Sequence, residues 1–369
     1  MKLISKEPIK KFEEYIGTLQ KDDRIAIVHH TDSDGVCSGV IIAKALKIMG
    51  IKFSLIFNQK ASEIVIQDYT VDVLKKNNIN KLIITDLNVD EDNIENIKRI
   101  EEFADILIID HHKIMNDINS NKTTVIKPQM IYKDIDPSYY CTAKIAYDLL
   151  KGMVDIEKFD WIIAIAVIGD AAYKTWKDFV DKIYEKYDIK LKDDIYKTEL
   201  GQLSDFISYA ESINSADMGD VFDVIFNSPN YQDAKVKLCK YERIIKPVVD
   251  DYFNKHKEIM EIIDNDLYLF YIKPKFGIKS LLINELAIYK YPDKTIIIVQ
   301  DLGGSRISIS ARRHDHKYPM NTLLSESVKD IEDGNAGGHL PAAGGSINRT
   351  DYEQFKRNLN INYKKLKQR

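Results

Sequence analysis

Acidic residues and histidines follow several apolar runs of this chain. RIAIV leads into the sequence HHTDSDG, KLIIT leads into Asp86, and DILII leads into an Asp-His-His triplet. A fourth apolar run, WIIAIAVIG, ends at Asp170. Ligands of open parallel sheets bind beyond the carboxyl ends of the strands, so these side chains are predicted to converge in one crevice. The candidate residues are His29 or His30, Asp32, Asp34, Asp86, Asp110, His111, His112 and Asp170.

The donor set indicates a metal site. Several carboxylates crowded together repel one another unless cations lie among them. Carboxylates with imidazoles suit manganese, with magnesium or cobalt as alternatives, better than metals that prefer thiolates. The three cysteines, Cys37, Cys141 and Cys239, have no CxxC spacing and predict neither a zinc site nor a disulfide framework. Two divalent ions bound here would activate a water and neutralise a phosphoryl group, which predicts phosphoester hydrolysis.

Each motif alone has an ordinary structural explanation. Asp32, Asp34 and Gly35 could form a simple turn, while Asp86 could cap a helix. Asp170 could be a helix-end residue. Adjacent histidines at the end of a strand have little structural use, however, so the complete set favours a metal site.

The pattern of elements predicts an α/β protein. Short apolar strands alternate with helices in the first half, which is typical of a doubly wound, mostly parallel sheet. Residues 178–265 are predicted to be almost wholly helical, with Pro247 producing a kink or a junction between two helices. Strands return in a smaller α/β domain. The predicted division is therefore 1–177, a helical connector at 178–265, and 266–369.

Composition limits the function only weakly. The formal net charge is −4, so no excess of positive charge indicates nucleic acid. The formal charge includes the carboxylates of the predicted metal site, which bound metals would neutralise. The negative net charge therefore does not exclude a nucleic-acid substrate. The sequence contains no long apolar run typical of a signal peptide or membrane span. A reducing cytoplasm and no membrane partner are expected.

These motifs together resemble those of the DHH phosphoesterases. That family has a DxD turn, an Asp after a second strand, the Asp-His-His triplet and a later Asp. The resemblance implies one metal held by Asp32 and Asp86 with His30, the preferred histidine of the first motif. It implies a second metal held by Asp34, Asp86, His111 and Asp170. It also implies that Asp110 orients the imidazoles and that His112 faces the scissile phosphate.

The C-terminal part resembles the DHH-associated domain. AGGHLPAAGGSI, residues 336–347, is similar to its glycine-rich element, with Ala336 in place of the first glycine. Arg312 in SRISISARR matches a substrate-binding arginine. Gly337 and Gly338 would let backbone amides approach a phosphate, with His339 as a further donor. A flexible surface loop is the alternative interpretation.

Three functions fit this resemblance. The favoured one is a compact, RecJ-like exonuclease or oligonuclease that uses two metals, most simply Mn²⁺, on single-stranded DNA or RNA. The second is a phosphatase or phosphodiesterase of small nucleotides, such as a bisphosphorylated adenosine or a cyclic dinucleotide. The third is a scaffold in a replication or repair complex, which would require a lost ligand. Replication or repair proteins and a second copy of the chain are possible partners.

Overall fold

The computed structural model describes residues 2–59, 66–91, 94–133, 136–213, 217–338 and 340–368. The chain divides into two compact units, Met1–Glu242 and Arg243–Arg369. The predicted boundaries after residues 177 and 265 stay predictions. Within the described residues, no helix is both long and apolar enough to cross a membrane.

A five-stranded parallel sheet forms the centre of the first unit. The strands of this unit are β1 (Lys2–Leu3), β2 (Ile25–His30), β3 (Phe53–Gln59), β4 (Lys81–Thr85), β5 (Asp105–Ile109), β6 (Thr123–Ile126) and β7 (Tyr132–Lys133). The main sheet has the order β3-β2-β4-β5-β6, and β1 pairs with β7 separately. The chain leaves β2 toward β3 on one side and returns to β4 on the other. This reversal is the point at which doubly wound sheets bind their ligands.

Helices accompany this sheet. They are α1 (Glu7–Thr18), α2 (Ser33–Ile48), α3 (Asp68–Lys76), α4 (Ile94–Glu101), α5 (Pro128–Ile131), α6 (Thr142–Leu150), α7 (Asp160–Gly169), α8 (Lys177–Lys186), α9 (Glu199–Ile213), α10 (Met218–Asn227) and α11 (Tyr231–Asn254). In α2, every residue from Ser33 to Leu46 is buried, because this helix packs against α6, α7 and α10. A helix so enclosed holds its first turn, which follows β2, in a fixed position.

The second unit contains a six-stranded mixed sheet. Its elements after α11 are α12 (His256–Ile259), β8 (Met260–Asp264), β9 (Leu267–Ile272), α13 (Lys279–Glu285), β10 (Thr295–Gln300), β11 (Arg306–Arg313), α14 (Met320–Val328), β12 (Asn335–Gly338), β13 (Ala342–Asn348) and α15 (Tyr352–Lys367). The strand order is β12-β13-β11-β10-β9-β8, and β9 and β10 form the only parallel pair among the described residues of this unit. Helices α14 and α15 contribute Leu324, Phe355 and Leu359 to the core on this sheet.

The predicted α/β fold class is confirmed, with two local corrections. The helical prediction up to residue 265 is wrong for Met260–Asp264, which forms β8 because it pairs antiparallel with β9. Pro247 lies inside α11, which continues to Asn254, so it does not mark a junction between helices.

Candidate metal centre

The turn after β2 brings the first three candidate residues together. His30 ends the strand, and its Nδ1 lies 3.1 Å from Asp32 Oδ2. Asp32 is the N-cap of α2 and accepts a 2.8 Å hydrogen bond from the Gly35 amide. A Cβ on Gly35 would lie 2.5 Å from the His30 carbonyl oxygen, so only glycine permits this close turn. The backbone here therefore fixes where both side chains point.

Asp34, in the first turn of α2, is anchored by a different helix. Its Oδ2 accepts from the Thr142 amide at 2.6 Å and its Oδ1 from the Ala143 amide at 2.8 Å. These amides belong to the first turn of α6, whose N–H groups have no partner within the helix. The carboxylate thus caps α6 across the fold and has its orientation set by it.

Asp86 lies at the reversal of strand order, directly after β4. Its Oδ2 is 3.7 Å from His30 Nδ1, and its Oδ1 is 3.5 Å from His111 Nε2. Thr142 donates its hydroxyl to Asp86 Oδ1 at 3.0 Å. Asp86 has φ of +61°, a left-handed conformation that costs a residue with a side chain about 1–3 kcal/mol. The strained backbone aims the carboxylate between the two histidines.

The two histidines of the Asp-His-His triplet after β5 contact different carboxylates. His111 is buried, and its Nδ1 lies 3.6 Å from Asp170 Oδ2, at the C-cap of α7. Neither of these two atoms has a hydrogen-bond partner among the described residues. His112 Nδ1 instead lies 2.7 Å from Asp110 Oδ1, and Asp110 Oδ2 lies 3.0 Å from Lys127 Nζ.

These residues fit divalent metal ions. Among the described residues, three groups of side chains have donor atoms within 4.8 Å of one another inside each group, and Asp86 belongs to two of these groups. The groups are His30 with Asp32 and Asp86, His111 and His112 with Asp86, and Asp34 with His111 and Asp170. The unpartnered buried atoms of His111 and Asp170 fit the same interpretation, because a buried polar atom without a partner is costly. Carboxylate and imidazole donors match Mn²⁺ or Mg²⁺. The structure therefore brings all six predicted ligands together, although their individual roles stay predictions.

The neighbouring histidine of the first motif points elsewhere. His29 is buried, stacks on Phe222 with ring centroids 5.2 Å apart, and belongs to none of the three donor groups. Burial lowers the pKa of His29 to about 4, so it is neutral at physiological pH. The geometry favours the predicted His30 as the donor.

Electrostatics explains why this cluster attracts cations. Burial, followed by the charges of neighbouring carboxylates, raises the pKa of Asp34, Asp86 and Asp170. Burial opposes ionisation of Asp32 as well, but the adjacent His30 outweighs it and lowers the Asp32 pKa. Burial and mutual repulsion therefore both oppose ionisation of these carboxylates in the metal-free protein, and a divalent cation among them would offset both effects.

The two histidines of the triplet have opposite pKa shifts. Burial lowers the pKa of His111, which favours the neutral imidazole that a metal ligand must have. Burial also opposes the charged form of His112, but the Asp110 carboxylate outweighs it and raises the His112 pKa to about 9. His112 is therefore cationic at neutral pH, as a group that contacts a phosphate should be.

Residues 24–169 match the family model for the DHH family, N-terminal domain. This part of the chain is a DHH-family N-terminal domain. Members of this family are in general metal-dependent phosphoesterases. A comparison with curated proteins gives no significant sequence match.

Solved structures resemble the DHH domain together with the rest of the chain. The DHH domain of a member of the S1p family of ribosomal proteins has a TM-score of 0.73 at 15% identity, covering 98% of this chain and 91% of that one. RecJ in complex with Mn²⁺ from Thermus thermophilus has a TM-score of 0.68 at 12% identity, and the match covers 96% of this chain and 54% of that one. An exonuclease RecJ bound to manganese has a TM-score of 0.64 at 14% identity, covering 98% and 94%. At these identities the likeness shows the fold, and this chain spans about half the length of the T. thermophilus protein.

Helices beyond the matched DHH residues support the first motif. Thr31 donates to Glu211 of α9 at 2.7 Å, and the hydroxyls of Ser33 and Ser204 lie 3.0 Å apart. Phe222 of α10 covers His29. Sequence reasoning assigned no motif to this helical region and missed these contacts, because polar residues on a helix give no signal of a distant partner.

The predicted substrate residues lie in the second unit. Arg312 of β11 donates to Asn284 of α13, and both line an open pocket of about 230 Å³ with Lys279, Ser280 and Gly344. Most of the predicted glycine loop forms a β-hairpin of β12 and β13, and its role in substrate binding stays a prediction. Gly337 and Gly338 lie on its outer strand, and Gly338 has φ of +131°, which favours glycine. His339 lies outside the described residues.

Proposed function

We propose that this protein is a two-metal phosphodiesterase that releases mononucleotides from single-stranded DNA or RNA. The observation that supports it most is the convergence of the six predicted ligands at the strand-order reversal, beside the His112–Asp110 pair. The absence of any ligand substitution argues against a purely structural scaffold.

His30, Asp32 and Asp86 would hold one ion, and Asp34, Asp86, His111 and Asp170 the other. When bound, the two ions would supply a nucleophile derived from water at neutral pH and positive charge for the phosphoryl group. The carboxylates would contribute fixed geometry, because Asp34 is held by the α6 amides and Asp32 by its own N-cap hydrogen bond. Manganese is the proposed metal, with magnesium or cobalt as alternatives.

His112 would bind the scissile phosphate. Asp110 Oδ1 accepts a hydrogen bond from His112 Nδ1, so the other ring nitrogen, Nε2, points away from Asp110. The side chain is 33% exposed, so a substrate can reach it, and its raised pKa keeps it cationic. A cationic imidazole can stabilise charge on phosphate oxygens and donate a proton to them.

The choice of nucleic acid depends on two weaker observations. The Asp-Ser-Asp-Gly turn is closer to the RecJ-type pattern than to that of small-nucleotide enzymes, and two solved RecJ structures share the fold. The pocket at Arg312 and Lys279 offers cationic side chains for a phosphate. Three free cysteines are consistent with the proposed cytoplasmic location, and a role in DNA repair follows from the same resemblance.

A digestion with end-labelled oligonucleotides tests this proposal. Short and long DNA and RNA strands would be incubated with Mn²⁺, with the Asp110→Ala variant and small nucleotides in parallel. We expect a ladder of single-nucleotide steps that the variant does not produce. Intact strands with phosphate or mononucleotide released from small nucleotides would instead support the second function. No hydrolysis of any substrate by the metal-loaded protein would support the scaffold.

A further inference from the structure

One buried lysine connects three strand ends of the DHH domain. Lys127 directly follows β6, and its side chain is 1% exposed. Its Nζ lies 3.0 Å from Asp110 Oδ2 after β5 and 2.6 Å from Asp90 Oδ1 after β4. It also donates to the Lys113 carbonyl and to Asn88 Oδ1, both at 3.3 Å. A single ammonium thus joins the segments that follow β4, β5 and β6.

The burial of this cluster makes its charges interdependent. Asp110 is 0% exposed and Asp90 is 2% exposed, so neither carboxylate can rely on water for compensation. The Met115 amide also donates to Asp90 at 3.1 Å. Among the described residues, Asp110 has Lys127 on one carboxylate oxygen and His112 on the other. Removing one member of a buried ion pair leaves an uncompensated charge at high cost.

The same cluster determines how His112 is presented. Asp110, whose Oδ2 is ion-paired with Lys127, offers Oδ1 as the acceptor for the proton on His112 Nδ1, which sets the orientation of the ring. Nε2 then points away from Asp110. A displaced Asp110 would allow other ring orientations.

We infer that Lys127 is a positioning residue for His112, acting through Asp110, rather than only a structural ion pair. This inference rests on the proposed function, because the ring it orients is the one proposed to contact the scissile phosphate. It assigns a role to a residue with no place in the motifs of the sequence.

The test separates stability from positioning. Lys127→Met removes the ammonium and leaves both carboxylates without it, so thermal stability and kcat should both fall. Lys127→Met combined with Asp90→Asn removes one charge of each sign, so thermal stability should recover most of the loss. If Lys127 positions His112, kcat of the double variant stays about 10- to 100-fold below wild type with little change in KM. Lys122→Met, the same substitution at an exposed lysine just before β6, is the matched control with wild-type kcat.

A second measurement needs no turnover. The proton on His112 Nδ1, which is hydrogen-bonded to Asp110, should give a downfield NMR signal that is identified by its loss in His112→Asn. This signal should shift or vanish in the double variant. An unchanged signal, or a kcat that recovers together with stability, would overturn the inference. If the wild-type protein hydrolyses none of the substrates, the proposed function fails, while the NMR signal still decides whether Lys127 orients the ring.

Discussion

Replacing Asp86 with asparagine should change the stability of the protein in opposite directions with and without metal. Burial, followed by the Asp32 charge, raises the Asp86 pKa, so its ionised form destabilises the metal-free fold at neutral pH. An asparagine at this position would remove that charge with nearly the same shape. We therefore expect the metal-free Asp86→Asn protein to be at least as stable as wild type at about pH 8, where the wild-type carboxylates are most ionised.

The response to metal should be lost in the variant. Free Mn²⁺ at 100 times Kd stabilises a folded protein by about 2.7 kcal/mol per site. For a unit the size of Met1–Glu242, this corresponds to about 5–10 °C in Tm per site. Asp86 belongs to two donor groups, so its loss should weaken both sites. A Kd raised about 100-fold leaves only about 0.4 kcal/mol per site at the same Mn²⁺ concentration.

Differential scanning calorimetry with Mn²⁺ or EDTA, together with metal analysis, measures both effects. Asp105→Asn is the matched control, because Asp105 lies at the opposite end of the sheet, paired with Lys81 at 2.8 Å. The control should retain the wild-type metal response. A full Tm increase and two bound ions in Asp86→Asn would refute the bridging role, as would wild-type turnover.

Four further results are expected. His112→Asn should lower kcat by at least about 100-fold while metal content stays at the wild-type value; lost metal would make His112 a ligand. In EDTA, stability should fall as pH rises from about 6.5 to 9, because His112, whose pKa is raised, binds more protons in the folded protein than in the unfolded one. Below about pH 6.5 the lowered pKa of His29 and His111 opposes this trend. A rise in stability between about pH 6.5 and 9 would contradict the electrostatics. Gly169→Ala should lower the free energy of unfolding, measured in urea, by about 1–3 kcal/mol, because its Cβ would lie 2.5 Å from the Ser204 hydroxyl of α9. Gly152→Ala is the control, because a Cβ at Gly152 meets no atom within 4 Å. Equal stabilities of the two variants would contradict this packing. Arg312→Ala should raise KM with unchanged metal content, and the control Arg306→Ala, at the other end of β11, should not; equal KM values would remove Arg312 from substrate binding.

The sequence was sufficient to predict four of the five strands of the parallel sheet, β2 to β5, and where they end, but it did not predict β6. Apolar runs such as KLIIT and DILII are short, uninterrupted and followed by polar residues, and they form β4 and β5 without change. Because parallel strands end at one edge, residues far apart in sequence could be expected to meet there. The structure brings the six predicted ligands together on this basis.

The tertiary partners of individual buried side chains could not be predicted from the sequence. His29 and His30 alternate sides along β2, and the sequence contains nothing that says which side Phe222 covers. Lys127 follows an apolar run just as Asp86 and Asp110 do, so its position at a strand end was a usable signal. Its buried partners were not visible, because lysine is usually solvated. The strand β8 was missed because pairing with β9 overrides a helical pattern.

The support of the first motif by α9 and α10 has a consequence for how this protein can evolve. Thr31 and Ser33 depend on Glu211 and Ser204, which lie outside the matched family residues. A substitution on α9 can therefore change the backbone conformation of the Asp32–Asp34 turn while every motif residue stays the same. Selection on catalysis should consequently constrain positions on α9 that lie outside the family motifs. A mutational scan with turnover as the readout should detect Ser204 and Glu211 on α9 in addition to the residues of the turn.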